Sequence, residues 1–381
     1  MLSSALPRLI WVLGLLALCA GCQDPPEPGP NYREYAYVTN GGSDTVTVID
    51  LRVLRVSGTV HVGKGPTGIA TNPKKNEIYV ANTDSNNISV IDAETNQVVS
   101  TIGVHRSPFF VDVSADGKRA YVANSGSANL SVIDLDQRKV IRTIQVGNGS
   151  NLARSTPDGK LVVVTVREEN SVAIIDSDKL SLRNKITVCG RPDQMALLPD
   201  SSKAFITCSA SDQVAVVDLK NDRLLALLDV GKTPIDVALK PDGGEVFVCN
   251  FHSSSVSEII TNTNEVNGSF LIGNQPVHAL VSPDNSLLFV SNFGSDSVAV
   301  YSIDNGKRIG SAEVGSHPEA MALSPNQLLL LVVNTVSGDL TALELTDSKG
   351  RPRTQNLPVA TMIPLGKAPR AIVAKAFVSQ K

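Results

Sequence analysis

Aromatic residues make up only 4% of this 381-residue chain, and there is a single tryptophan, Trp11. Charged residues are also sparse at 19%. The 34 Lys+Arg against 37 Asp+Glu give a formal net charge of −3, which excludes the basic stripe of a nucleic-acid-binding surface. Five cysteines are too few for a disulfide framework. Cys-x-x-Cys-His is absent, so covalent c-type haem has no support, and neither a Gly-x-Ser-x-Gly elbow nor a phosphate loop occurs. The apolar run over residues 9–20 is too short for a stable membrane span.

That run has a different reading. Residues 1–21 have the form of a signal peptide, with Arg8 ahead of the apolar run and small residues after it. Leu18-Cys19-Ala20-Gly21-Cys22 resembles a bacterial lipobox, with Cys19 where leucine is commoner, and the resemblance implies lipidation of Cys22. Residues 22–31 would then carry the lipidated cysteine and a proline-rich tether. The expectation is an exported cell-envelope lipoprotein anchored to a membrane. Gln23 directly after the cysteine implies, by resemblance to bacterial sorting rules, an outer-membrane or periplasm-facing position. Loss of the leader removes Arg8 and Trp11 and leaves 33 Lys+Arg (34 − 1) against 37 Asp+Glu, a charge of −4. Cys189, Cys208 and Cys249 remain beyond the anchor. An odd number permits at most one internal disulfide, and which two pair is left open.

The rest of the chain is one unit written eight times. Tyr37-Val38-Thr39-Asn40 recurs as Tyr79-Val80-Ala81-Asn82 and Tyr121-Val122-Ala123-Asn124, then in degenerate form from Val163, Phe205, Phe247, Phe289 and Leu331, always 42 residues on. Six units keep the asparagine; Val166 and Cys208 replace it in the other two. Each unit also contains an apolar–small–apolar alternation, a run before the tyrosine position that ends in turn chemistry such as Pro157-Asp158-Gly159, and a closing run stopped near a glycine. Four short strands per 42 residues are the blade of an all-β propeller.

The unit Pro66-Thr67-Gly68-Ile69-Ala70, Tyr79-Val80-Ala81-Asn82, Ser89-Val90-Ile91-Asp92, Thr101-Ile102-Gly103-Val104 resembles the bacterial and archaeal YVTN β-propeller repeat, and the likeness covers nearly all of 32–381. The chain opens at the second strand of a unit and closes with a first strand, after an insertion near 347–356. Pairing of the two ends would complete blade 1, giving eight four-stranded blades, with seven as the alternative count, and leave no open edge at the seam.

An antiparallel meander puts fourth-to-first and second-to-third connections on one face, with the Asp-Gly hairpins around Asp116, Asp158 and Asp242 on the other. His61, His105, His252, His278 and His317 all fall toward the first face, with Phe109, Phe110, Phe251 and Phe293. First strands line the central channel, and Asp193, Gln194, Asp236, His278, Glu319 and Arg370 open them. Asp236, His278, Glu319 and Arg370 form the most ligand-like group, because other blades carry Gly68, Leu152 or Ala320, and Thr67, Ile235 or Val277, at the same places. A solvated rim of paired charges is the competing account. The hairpin aspartates read as turn formers rather than calcium ligands. The repeated Ser43, Ser85, Ser127, Ser211, Ser253, Ser295 and Ser337 read as blade-building residues rather than nucleophiles.

The unbroken register favours a non-catalytic binding or scaffold module that presents its loop face to an envelope protein or glycan. No catalytic residue, metal or cofactor is expected. The alternative is a propeller enzyme or cofactor protein of the lactonase, quinoprotein or haem d1 kind. Fold alone does not choose between them.

Overall fold

The computed structural model describes residues 29–347, 350–353 and 355–379. Cys22 and most of the tether lie outside them. Eight antiparallel four-stranded sheets form a ring, each a meander running outward from the channel. The innermost strands of blades 2 to 8 begin at Pro66, Pro108, Ser150, Pro192, Pro234, Pro276 and Pro318. Blade 1 takes its innermost strand, Pro369–Val378, from the other end of the chain. There it pairs antiparallel with Tyr32–Asn40, from Tyr32↔Val378 to Asn40↔Pro369. Eight blades closed by the two ends are therefore observed, not seven.

Apolar residues of successive blades meet between the sheets. Tyr37, Tyr79, Tyr121, Phe205, Phe247 and Phe289, all from the tyrosine position of the repeat, are among the largest fully buried side chains. The middle strands are buried on both faces, as in Leu161–Val166, because each sheet is covered by a blade on either side. The outermost strands alternate exposed and part-buried positions, and all eight carry a register shift at the same place, as between Val48 and Ile49. A bulge there twists the edge and discourages strand pairing with another molecule.

The repeat's polar residues close the loop face. Asn82 Nδ2 donates to Asn87 Oδ1 at 2.8 Å and to Ser89 Oγ at 2.9 Å, and Asn40, Asn250 and Asn334 make the equivalent pair of bonds. The repeated serines accept from a backbone N–H of the preceding loop, as Ser85 Oγ does from Lys64 N at 2.9 Å and Ser253 Oγ from Lys232 N at 2.8 Å. A Cβ on Gly63 would stand 2.7 Å from the Asn82 Cγ, so the asparagine fills the space its partner glycine leaves. On the opposite face Asp116 accepts from Ser114 Oγ at 2.6 Å and Lys118 N at 3.0 Å, and Asp158 from Thr156 Oγ1 at 2.7 Å and Lys160 N at 3.1 Å. Gly117 and Gly159 follow at φ of 70° and 72°, the left-handed geometry that makes glycine the cheapest residue there. The hairpin aspartates thus direct their oxygens into the turn.

Candidate functional site

The innermost strands build the mouth of the channel through a local irregularity. In each of them the ladder slips just after the first residue: Pro234 pairs with Asn250 but Asp236 with Cys249, leaving Ile235 as the extra residue. The same slip leaves Val277 extra in blade 7 and Glu319 in blade 8. A bulge re-aims the side chains beside it, and in blades 1, 2, 3, 6, 7 and 8 two successive positions line the funnel.

The cavity that results holds about 570 Å³. Asp236, His278, Glu319 and Arg370, from blades 6, 7, 8 and 1, all line it. Asp236 Oδ2 accepts from Ala279 N of the next blade at 2.9 Å. Glu319 Oε2 accepts from Thr335 Oγ1 at 2.7 Å. The Nδ1 atom of His278 is buried without a hydrogen-bond partner among the described residues. Arg370 is exposed and makes no ion pair among them, so the four side chains do not neutralise one another by direct contact. Cys249, opposite Asp236 in the ladder, is a free and fully buried thiol. Burial, reinforced by the Asp236 charge, pushes its pKa up and keeps it protonated.

Deeper in the same cavity lies a group that sequence reasoning missed. Asp112 accepts from Ser155 N at 2.8 Å and Ser155 Oγ at 2.7 Å, and Arg154 Nη1 stands 3.4 Å from its other oxygen. The Arg154 guanidinium also lies 4.5 Å above the Phe110 ring. The signal was present: most blades carry alanine, leucine or valine at the position of Asp112 and Arg154.

Gln194 joins the main cavity, whereas Asp193 does not. Its carboxylate is taken up by Arg167 Nε and the Ser209 hydroxyl in a neighbouring recess. Outside the funnel, a row of rings crosses the loop face over blades 6 to 8. His252 and Phe251 meet edge-on at 5.0 Å, Phe251 and Phe293 at 6.4 Å, and Phe293 and His317 edge-on at 4.3 Å. The disulfide joins Cys189 to Cys208.

Two family models match separate parts of the chain. A YNCE-like β-propeller model matches residues 29–153, and a model described as lactonase, 7-bladed β-propeller, matches residues 258–364. Both describe β-propellers. Neither spans half of the chain, and the second describes a seven-bladed ring where this chain builds eight blades. No curated protein matches the sequence.

Solved structures share the architecture. Hydrazine synthase of Kuenenia stuttgartiensis matches with a TM-score of 0.61 and 20% identity, over 74% of this chain and 97% of that one. The dihydro-haem d1 dehydrogenase NirN, in complex with DHE, gives 0.74 and 14%, over 89% and 74%. A functionally unknown protein from Desulfotomaculum acetoxidans gives 0.60 and 16%, over 89% and 98%. At these identities the likeness is one of fold. No helix among the described residues is long and apolar enough to cross a membrane.

Proposed function

We propose that the protein is a lipid-anchored, exported binding module of the YVTN type, which receives an envelope protein or glycan at the channel mouth of its loop face. The observation that carries the reading is convergence. Four side chains that the repeat does not require, Asp236, His278, Glu319 and Arg370, come from four successive blades into one cavity. They leave a guanidinium and an imidazole nitrogen without a hydrogen-bond partner among the described residues. Burying a polar atom without a partner opposes folding, so the buried His278 nitrogen beside the exposed Arg370 guanidinium fits recognition of a polar ligand. The ring row His252–Phe251–Phe293–His317 adds an apolar, aromatic margin suited to a protein or sugar surface.

A second reading, a propeller enzyme or cofactor protein, is favoured by the lactonase-type match, whose span includes His278 and Glu319. The absorption spectrum of the purified protein separates the two, since a bound chromophore would favour the second. The binding test compares the combined variant Asp236→Ala, His278→Ala, Glu319→Ala and Arg370→Ala with a set at Asp116, Asp158 and Asp242 on the opposite face. Pull-down of envelope components should fail only for the first set. Loss confined to the hairpin set overturns the choice of face, and loss with neither set removes the mouth from binding.

A further inference from the structure

A second cavity, of about 410 Å³, opens across blades 4, 5 and 6 and shares Gln194 and Ile235 with the main funnel. Its charged lining is Arg167, Arg191 and Asp193. Asp193 is almost fully buried, with one carboxylate oxygen held by Arg167 Nε and the other by the Ser209 hydroxyl. Arg191 Nε stands 4.0 Å from that second oxygen. Two guanidiniums therefore face one carboxylate whose oxygens are already engaged. The Nη groups of both arginines make no hydrogen bond among the described residues. Of the other carboxylates nearby, Glu169 is paired with Lys185 and accepts from Asn148 N, while Glu168 packs against Gly149 of the preceding loop. The cavity itself holds one net positive charge.

The repeat does not explain this group. At the place of Arg167 the other blades carry Gly41, Thr83, Ser125, Ser209, Phe251, Phe293 and Thr335. At that of Arg191 they carry a residue such as Gly65, Ser107 or Ala368. Its charged residues come from the two blades that have lost the repeat's asparagine, at Val166 and Cys208, and from the loop between them. In blade 5 the disulfide Cys189–Cys208 takes over, and its half-cystines directly precede Gly190-Arg191 and Ser209, so a covalent staple holds the two walls of the cavity together.

We propose that this cavity is an oxyanion site, taking a phosphate, sulfate or carboxylate group between Arg167 and Arg191. Guanidiniums bind such groups through charge-assisted and often bidentate hydrogen bonds. The inference goes beyond the proposed function and uses none of its four residues. It is tested on the full chain by titrating inorganic phosphate, sulfate and acetate separately, at ionic strength held constant with chloride, and following binding by calorimetry. At least one should bind saturably at one site, and the tightest of the three names the source chemistry. Arg191→Ala, at an exposed side chain, should weaken that binding about tenfold or more with thermal melting unchanged, and Arg191→Lys should recover part of it. The combined variant at Asp236, His278, Glu319 and Arg370 should bind as the parent does. If all three anions behave as chloride, if Arg191→Ala binds as tightly as the parent, or if the combined variant abolishes binding, the site is not where we place it.

Discussion

At the scale of the residue, a few side chains hold positions that the backbone alone would not fix. Asn82 satisfies two oxygen acceptors across a tight connection while filling the space of an absent glycine side chain. Asn82→Ala strands the buried groups around it and should cost about 1–3 kcal/mol, read as a shifted denaturant midpoint. Glu34 does comparable work at the seam of the ring, where its carboxylate accepts from Asn326 N and Nδ2, both at 3.0 Å, and is almost completely buried. Burial pushes its pKa above the ordinary glutamate value. The protonated form is then relatively favoured in the folded state. Its contribution is fully present below the unfolded-state pKa of about 4.3 and declines as the pH rises through the folded value. Glu34→Gln should be less stable overall because it loses an acceptor, yet flatter with pH above about 4. Parallel melting-temperature profiles for the two proteins across the acid range would contradict this.

At the scale of the element, the blade shows which features a repeat makes legible and which it hides. Strand order, the buried tyrosine position and the role of the recurrent serines follow from 42-residue periodicity, because a residue repeated in many blades serves the blade. The groups at Asp112–Arg154 and Arg167–Asp193–Arg191 were harder to see. Each is assembled from different blades, and periodicity says nothing about which off-pattern residues meet across an interface. The disulfide was open for the same reason, although the alignment of blades now explains it. Cys189 occupies the glycine position and Cys208 the asparagine position, while Ala215 stands where Ser89 or Ser257 would accept the asparagine's hydrogen bond. Cys189→Ala with Cys208→Ala should lose about 2–4 kcal/mol, the usual worth of a native disulfide. Cys189→Gly, Cys208→Asn and Ala215→Ser together rebuild the noncovalent arrangement of the other blades and should recover much of that loss. Chemical denaturation of the two variants decides it: equal midpoints would mean that the bond does more than stand in for the Asn–Gly contact.

At the scale of the whole molecule, the ring depends on a pairing between residues more than 300 positions apart. Deleting residues 371–381 removes most of the innermost strand of blade 1 and exposes Tyr32–Asn40 along the channel. The buried Ile372 and Phe377 go with it, and at about 25 cal/mol per Å² of apolar surface the lost burial reaches several kcal/mol. That is comparable with a domain's net stability of about 5–15 kcal/mol, so the truncated chain should aggregate or melt well below the parent. An unchanged melting curve would remove the seam from the account of stability. The proposed anchor belongs to this scale too. Cys22→Ala should release folded protein from membranes, with melting unaltered, since the residue precedes the ring; a variant that stays membrane-bound would refute lipidation there.

The two ends of the ring leave it side by side: Ser379 N donates to Asn31 O at 2.8 Å, next to the Tyr32↔Val378 pair. Second strands start, and first strands finish, at the face of the Asp-Gly hairpins. The tether proposed here, continuing back from Tyr32, would therefore depart from beneath the ring, like the stem of a goblet. Anchored that way, the molecule would stand with its hairpins toward the lipid and its funnel open to the aqueous space beyond, the side from which the proposed partner would have to approach.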